Sequence, residues 1–96
     1  MRRASKRDAN HAPIADALRN AGCRVIDLAA VGCGVPDLLV CEPTWPFDMH
    51  LIEIKNTNGR GNKLTPEQVK FHAEWKGKLH VVTTVDEALC AVGLGG

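Results

Sequence analysis

Three charged residues stand at the ends of otherwise apolar runs. Pro36-Asp37 leads into Leu38-Leu39-Val40-Cys41, and Glu53-Ile54-Lys55 closes a run that begins at Met49. Side chains alternate along a strand, so Glu53 and Lys55 point to one face and Ile54 to the other. Paired as a hairpin, the two runs bring Asp37 beside the end of the second, and two carboxylates and an ammonium then share one small cleft. Neighbouring, partly buried carboxylates repel each other and lose hydration. A divalent cation offsets that cost directly: magnesium accepts one or two protein carboxylates and keeps waters that exchange with a substrate phosphate. Asp37, Glu53 and the backbone carbonyl of Ile54 are the candidate ligands. A metal held there lowers the pKa of its bound water and neutralises charge developing on a phosphodiester under attack. Lys55 then orients that water or holds a non-bridging phosphate oxygen. The competing reading of the same residues is a salt bridge from Asp37 or Glu53 to Lys55 at the rim of a sheet.

The elements that must position these groups are legible on either side. Asp8 or Asn10 offers an N-cap, Pro13 favours Asn10, and Ile14, Leu18 and Ala21 form one apolar stripe that Gly22 ends. Residues 23–28 alternate as a strand, and Gly32-Cys33-Gly34 breaks the chain before the next apolar run. That triplet is no dinucleotide fingerprint, since it precedes a strand. It is either a plain turn or backbone that permits close approach to DNA or metal. The connection at residues 42–48 is short and holds two prolines, which makes a hairpin the economical topology. Trp45 and Phe47 within it either fold back over the core or, if exposed, wedge into a DNA junction or seal a dimer contact.

After Lys55 the chain is polar to Lys63. Thr65-Pro66-Glu67-Gln68 then combines a cap residue, a proline at the first helical position and a glutamine three after the cap. Val69, His72 and Lys76 share one face of the helix that follows, Gln68, Phe71 and Trp75 another, and Gly77 supplies the stop. Leu79 to Val82 reads as a strand, and Thr84 with Glu87 opens a last helix through Val92. The order predicted is helix, three strands, helix, strand, helix: an α/β domain with a mixed sheet between helices. A flexible basic arm, residues 1–7, precedes this single domain of residues 8–96.

With 96 residues, 45% hydrophobic and 24% charged, the chain builds one globular core. No apolar run approaches the roughly 18 residues needed to span a bilayer, and the basic N-terminus lacks an apolar signal segment. A cytosolic protein is expected. Cys23, Cys33, Cys41 and Cys90 lack paired spacing, and three lie in apolar runs as small hydrophobes, which points to a reduced compartment. His50, His72 and His80 pair with no cysteine at ligand spacing, so zinc is not expected. His72 follows Gln68 by one helical turn and stays a candidate near the site. The net charge of +1 hides segregation: Arg2, Arg3, Lys6 and Arg7 form one acid-free cluster and Lys55, Arg60 and Lys63 another. The rest of the chain holds 5 bases against 11 acids. Both clusters are candidate phosphate contacts, the second because it leaves directly from Lys55.

Taken together, four segments carry a resemblance. Arg7-Asp8-Ala9-Asn10-His11, then Gly32 through Val40 with Pro36-Asp37 at its centre, then Ile52-Glu53-Ile54-Lys55, and Leu64 through His72 with Gln68 within it, cover nearly the whole chain in order. In these the chain resembles the PD-(D/E)XK nuclease superfamily, and within it the VRR-Nuc domain, which stands alone in phages and also occurs in the Fanconi-associated nuclease. The resemblance implies a restriction-endonuclease-like αβββαβ core and a magnesium or manganese ion bound by Asp37 and Glu53. It implies that Lys55 is the catalytic lysine and that Gln68 faces the same site. Small phage members resemble Holliday-junction resolvases and act as homodimers. The expectation is therefore a symmetric dimer that hydrolyses phosphodiesters of branched DNA in a host cytosol, leaving a 5′-phosphate. One position departs: many members carry a glutamate in the first helix that reaches the metal, where this chain has His11. A neutral imidazole at a helix start can ligate a metal or contact a phosphate; equally, His11 packs beside Ile14 and Leu18. The alternative function is a non-catalytic DNA-binding module that keeps the nuclease fold, and a third is a structural interaction protein.

Overall fold

The structure, a computed structural model, describes residues 9–56 and 63–95. The expected arm at residues 1–7, Asp8 and most of the polar loop after Lys55 lie outside the described residues. Helix α1 (His11–Asn20) is followed by strands β1 (Arg24–Asp27), β2 (Leu38–Cys41) and β3 (Met49–Ile54). Helix α2 (Pro66–Glu74), strand β4 (Leu79–Val82) and helix α3 (Val85–Ala91) complete the order.

The four strands form one sheet in the order β1-β2-β3-β4, antiparallel between the first three and parallel between β3 and β4. The expected hairpin is present. Glu42 N–H donates to Asp48 O at 2.9 Å, and Phe47 N–H closes the turn on Thr44 O at 2.7 Å. The long connection through α2 lets β4 run parallel to β3. The described residues thus form an α/β domain with a mixed sheet and three helices.

Alternation divides β3 between two environments. Ile52 and Ile54, with Leu38, Val40 and Val82, form the inner face, which packs on Ile14 and Leu18 of α1 and on Ala88 of α3 and the adjoining Val92. Glu53 and Lys55 take the opposite face and meet α2 through Gln68. At the hairpin end of the inner face, three polar side chains replace aliphatic packing. Buried His50 bonds to Glu42 Oε2 at 2.7 Å through Nε2 and to His80 Nε2 at 2.9 Å through Nδ1.

Several local expectations need correction. Ala21 is exposed, and the buried stripe of α1 is His11, Ile14, Ala15 and Leu18. Helix α2 ends before Gly77, because Trp75 is already extended at φ −76° and ψ 131°. Trp45 and Phe47 do not fold over the core: both are exposed, and the tight turn projects them away from the sheet so that they pack edge to face on each other, centroids 6.2 Å apart. All four cysteines are free, but only Cys23 is buried.

The glycine triplet has a structural task. Gly34 lies at φ +81°, and a Cβ placed there would come 2.5 Å from Glu67 O in the first turn of α2. At Gly34 the turn makes its close approach to the protein's own helix. A side chain at this position requires both the disfavoured backbone conformation and displacement of α2. Gly34→Ala is expected to lower unfolding stability by about 2 kcal/mol, read from the shift in urea midpoint at constant slope.

Candidate functional site

The antiparallel register pairs Leu38 with Ile52. One step further sets Asp37 opposite Glu53, on the outer face, where directly opposed residues bring their Cβ atoms to roughly 5 Å. A second step sets Pro36 opposite Ile54. Proline has no N–H to donate, so the Ile54 carbonyl on that side has no donor from the β2 ladder. The Ile54 N–H, which would have met the Pro36 carbonyl, donates to Asp37 Oδ2 at 2.7 Å. Pro36-Asp37 therefore ends the hairpin by exchanging a backbone bond for a carboxylate bond and by releasing a carbonyl.

Glu53 is 2% exposed and Lys55 9%, so both charges are taken from water. Gln68 holds them. Its Oε1 accepts from Lys55 Nζ at 2.8 Å, its Nε2 donates to Glu53 Oε2 at 3.2 Å, and Lys55 Nζ stands 3.9 Å from that same oxygen. Only this amide orientation serves both ends, since an ammonium has donors alone and a carboxylate acceptors alone. The same Oε1 also accepts from Thr65 N–H at 2.9 Å, while Thr65 Oγ1 accepts from Gln68 N–H at 3.2 Å. The capping box read in the sequence is thus complete, and its glutamine also joins the two charges of the site.

His72 lies one turn beyond Gln68 on α2. Its Nε2 is 3.9 Å from Glu53 Oε1, beyond hydrogen-bond reach, and the side chain is 15% exposed. Burial, and then the charge of Lys55, hold this imidazole below its usual pKa. His11 is buried with Ile14 and Leu18 as a packed helix residue, and its Nε2 stands 3.8 Å from Asp27 Oδ1 at the end of β1. Asn10 occupies the N-cap position but makes no cap bond with its side chain. Its Nδ2 reaches across to donate to Lys55 O at 2.9 Å and to Thr83 O at 2.7 Å. Asn10 and Asp27 were not foreseen here. Nothing in a sequence separates a capping asparagine from one that bonds to neighbouring strands.

Lys63 is exposed just before α2; Arg2, Arg3, Lys6, Arg7 and Arg60 lie outside the described residues. Among the described residues no group of three or more His, Cys, Asp or Glu side chains is arranged to hold a metal. The donors at hand are two carboxylates and the Ile54 carbonyl. These are hard oxygens, and they suit magnesium or manganese, which need few protein ligands and complete their shells with water. Among the described residues no helix is long and apolar enough to cross a membrane. Compared with protein-family models, curated proteins and solved structures, the chain matches none.

His80 shares the depressed pKa of His72, through burial and then the charges of His50 and Lys78. For both, the unfolded chain takes up its proton near the ordinary value of 6.5, before the folded protein does. Their contribution is intact above that pH and is lost as pH falls from 6.5 toward the folded values. Melting temperature is expected to drop between pH 7 and pH 5, and the double variant His72→Asn, His80→Asn to drop less over the same interval.

Proposed function

We propose that this chain is a metal-dependent DNA endonuclease of the VRR-Nuc type, with a restriction-endonuclease-like arrangement of its helices and sheet. The observation that carries the reading is the meeting of Asp37, Glu53 and Lys55 at one end of the β2–β3 hairpin, with Gln68 bonded to the last two. Asp37 and Glu53, with the Ile54 carbonyl, are the residues to hold magnesium or manganese. Once bound, the ion supplies an activated water and positive charge at the phosphodiester.

The protein's own groups have distinct roles. Lys55 holds a non-bridging phosphate oxygen or the attacking water, and Gln68 keeps its ammonium aimed by accepting from Nζ. Lys63 and the arginines and lysines of residues 1–7 and 60 are the phosphate contacts. The chain acts on branched DNA as a homodimer and leaves a 5′-phosphate, as its resemblance to the VRR-Nuc domain implies. His11, buried beside Asp27, is assigned to packing rather than to the metal.

Labelled four-way junction, flap and duplex DNA, incubated with the protein and magnesium or manganese, tests the reading. Lys55→Ala is expected to lose cleavage on the order of a thousandfold while its circular dichroism is unchanged. In calorimetry, Glu53→Gln weakens manganese binding by roughly tenfold or more. A folded wild type that binds DNA in a salt-dependent way but cleaves none of the three substrates is the binding module instead.

A further inference from the structure

We infer that Asn10 is a positioning residue for Lys55, acting through the end of β3; the inference rests on the nuclease reading above. A parallel ladder uses every second residue of a strand. Leu51 N–H reaches Lys78 O at 2.9 Å, and Lys55 N–H reaches Val82 O at 2.9 Å. The next rung of that series joins the Lys55 carbonyl to the N–H of Thr84. At that point, however, the chain turns into α3. Thr84 caps the helix by accepting from Glu87 N–H at 3.0 Å, and Thr83 N–H donates to Glu87 Oε1 at 2.6 Å.

Asn10 replaces the missing rung. Its amide nitrogen carries two protons, and each goes to one carbonyl: Lys55 O at 2.9 Å and Thr83 O at 2.7 Å. The first turn of α1 is thereby fastened to the two places where β3 and β4 leave the sheet. One of those places carries the ammonium of the site. Lys55 Nζ meets Gln68 Oε1 at 2.8 Å with its backbone held in register with β4. Released from Asn10, the Lys55 carbonyl has no rung to β4, whose ladder on this strand ends with the bond from Lys55 N–H to Val82 O. A displacement of about 1 Å in a catalytic group costs on the order of a hundredfold in rate. The hydrogen bonds of Asn10 reach neither Asp37 nor Glu53, so the two carboxylate donors stay in place when it is removed.

These relations separate positioning from mere stabilisation. A structural asparagine changes how many molecules are folded, whereas a positioning one changes the turnover of each folded molecule. Wild type and Asn10→Ala are compared per folded molecule, with the folded fraction from circular dichroism and the metal sites counted by manganese titration. The expected result is a kcat at least about tenfold lower, with KM for labelled junction DNA and manganese affinity within about twofold. Asn10→Ser keeps one hydroxyl proton for one of the two carbonyls. It falls between, and it carries the comparison if the alanine variant does not fold. Equal kcat per folded molecule in the folded variant overturns the inference, as does a loss confined to KM or to manganese affinity. A wild type that binds manganese and DNA but cleaves nothing overturns the nuclease reading and this inference together. A cleaving wild type with an unaffected variant overturns the inference alone.

Discussion

The register of the β2–β3 hairpin sets Asp37 against Glu53, and the rest of the site follows from the cost of that pairing. Like charges directly opposed on a sheet face are unfavourable, and burial raises the cost by removing water from the carboxylates. Three features of the surrounding structure answer it. Asp37 receives the Ile54 N–H, Glu53 receives the Gln68 amide, and the Lys55 ammonium stands beside Glu53. A fourth, a divalent cation, is what we propose the pair exists to bind.

Gln68 makes this local balance depend on a distant element. One side chain closes the capping box of α2, accepts from the ammonium and donates to the carboxylate. The position of α2 is in turn set by Gly34, whose lack of a side chain lets the helix start lie against the turn before Pro36-Asp37. Helix and turn therefore reach the site from segments some 30 residues apart yet are fixed by one contact. Asn10 adds α1 to the same arrangement, because its amide secures the backbone that carries Lys55. The two helices do different work: α1 buries an aliphatic stripe in the core, whereas α2 has no fully buried residue and is held largely by polar bonds at its start.

Much of this was legible in the sequence. The two central strands and the last strand were read from their apolar runs, and their limits agree with β2, β3 and β4. The capping box at Thr65 to Gln68 signalled the start of α2, while the place of its glutamine at the site was implied by the resemblance alone. Alternation alone placed Glu53 and Lys55 on one face. What was hidden depends on contacts between distant segments. Asn10 has the residue type and place of a cap, and only the fold reveals that its amide is spent on Lys55 and Thr83. The neighbour of Gly34, the packing of His11 and the exposure of Trp45 likewise follow from how elements meet. No periodicity records those distances.

The central claim concerns two facing carboxylates and the cation that reconciles them. Diffraction at the manganese absorption edge, from crystals grown with manganese, tests it most directly. The account predicts one anomalous peak within about 2.1 Å of a carboxylate oxygen from both Asp37 and Glu53, with the Ile54 carbonyl adjacent. Well-ordered Asp37 and Glu53 side chains on opposite faces of the sheet, or facing each other with no peak between them at saturating manganese, would contradict it.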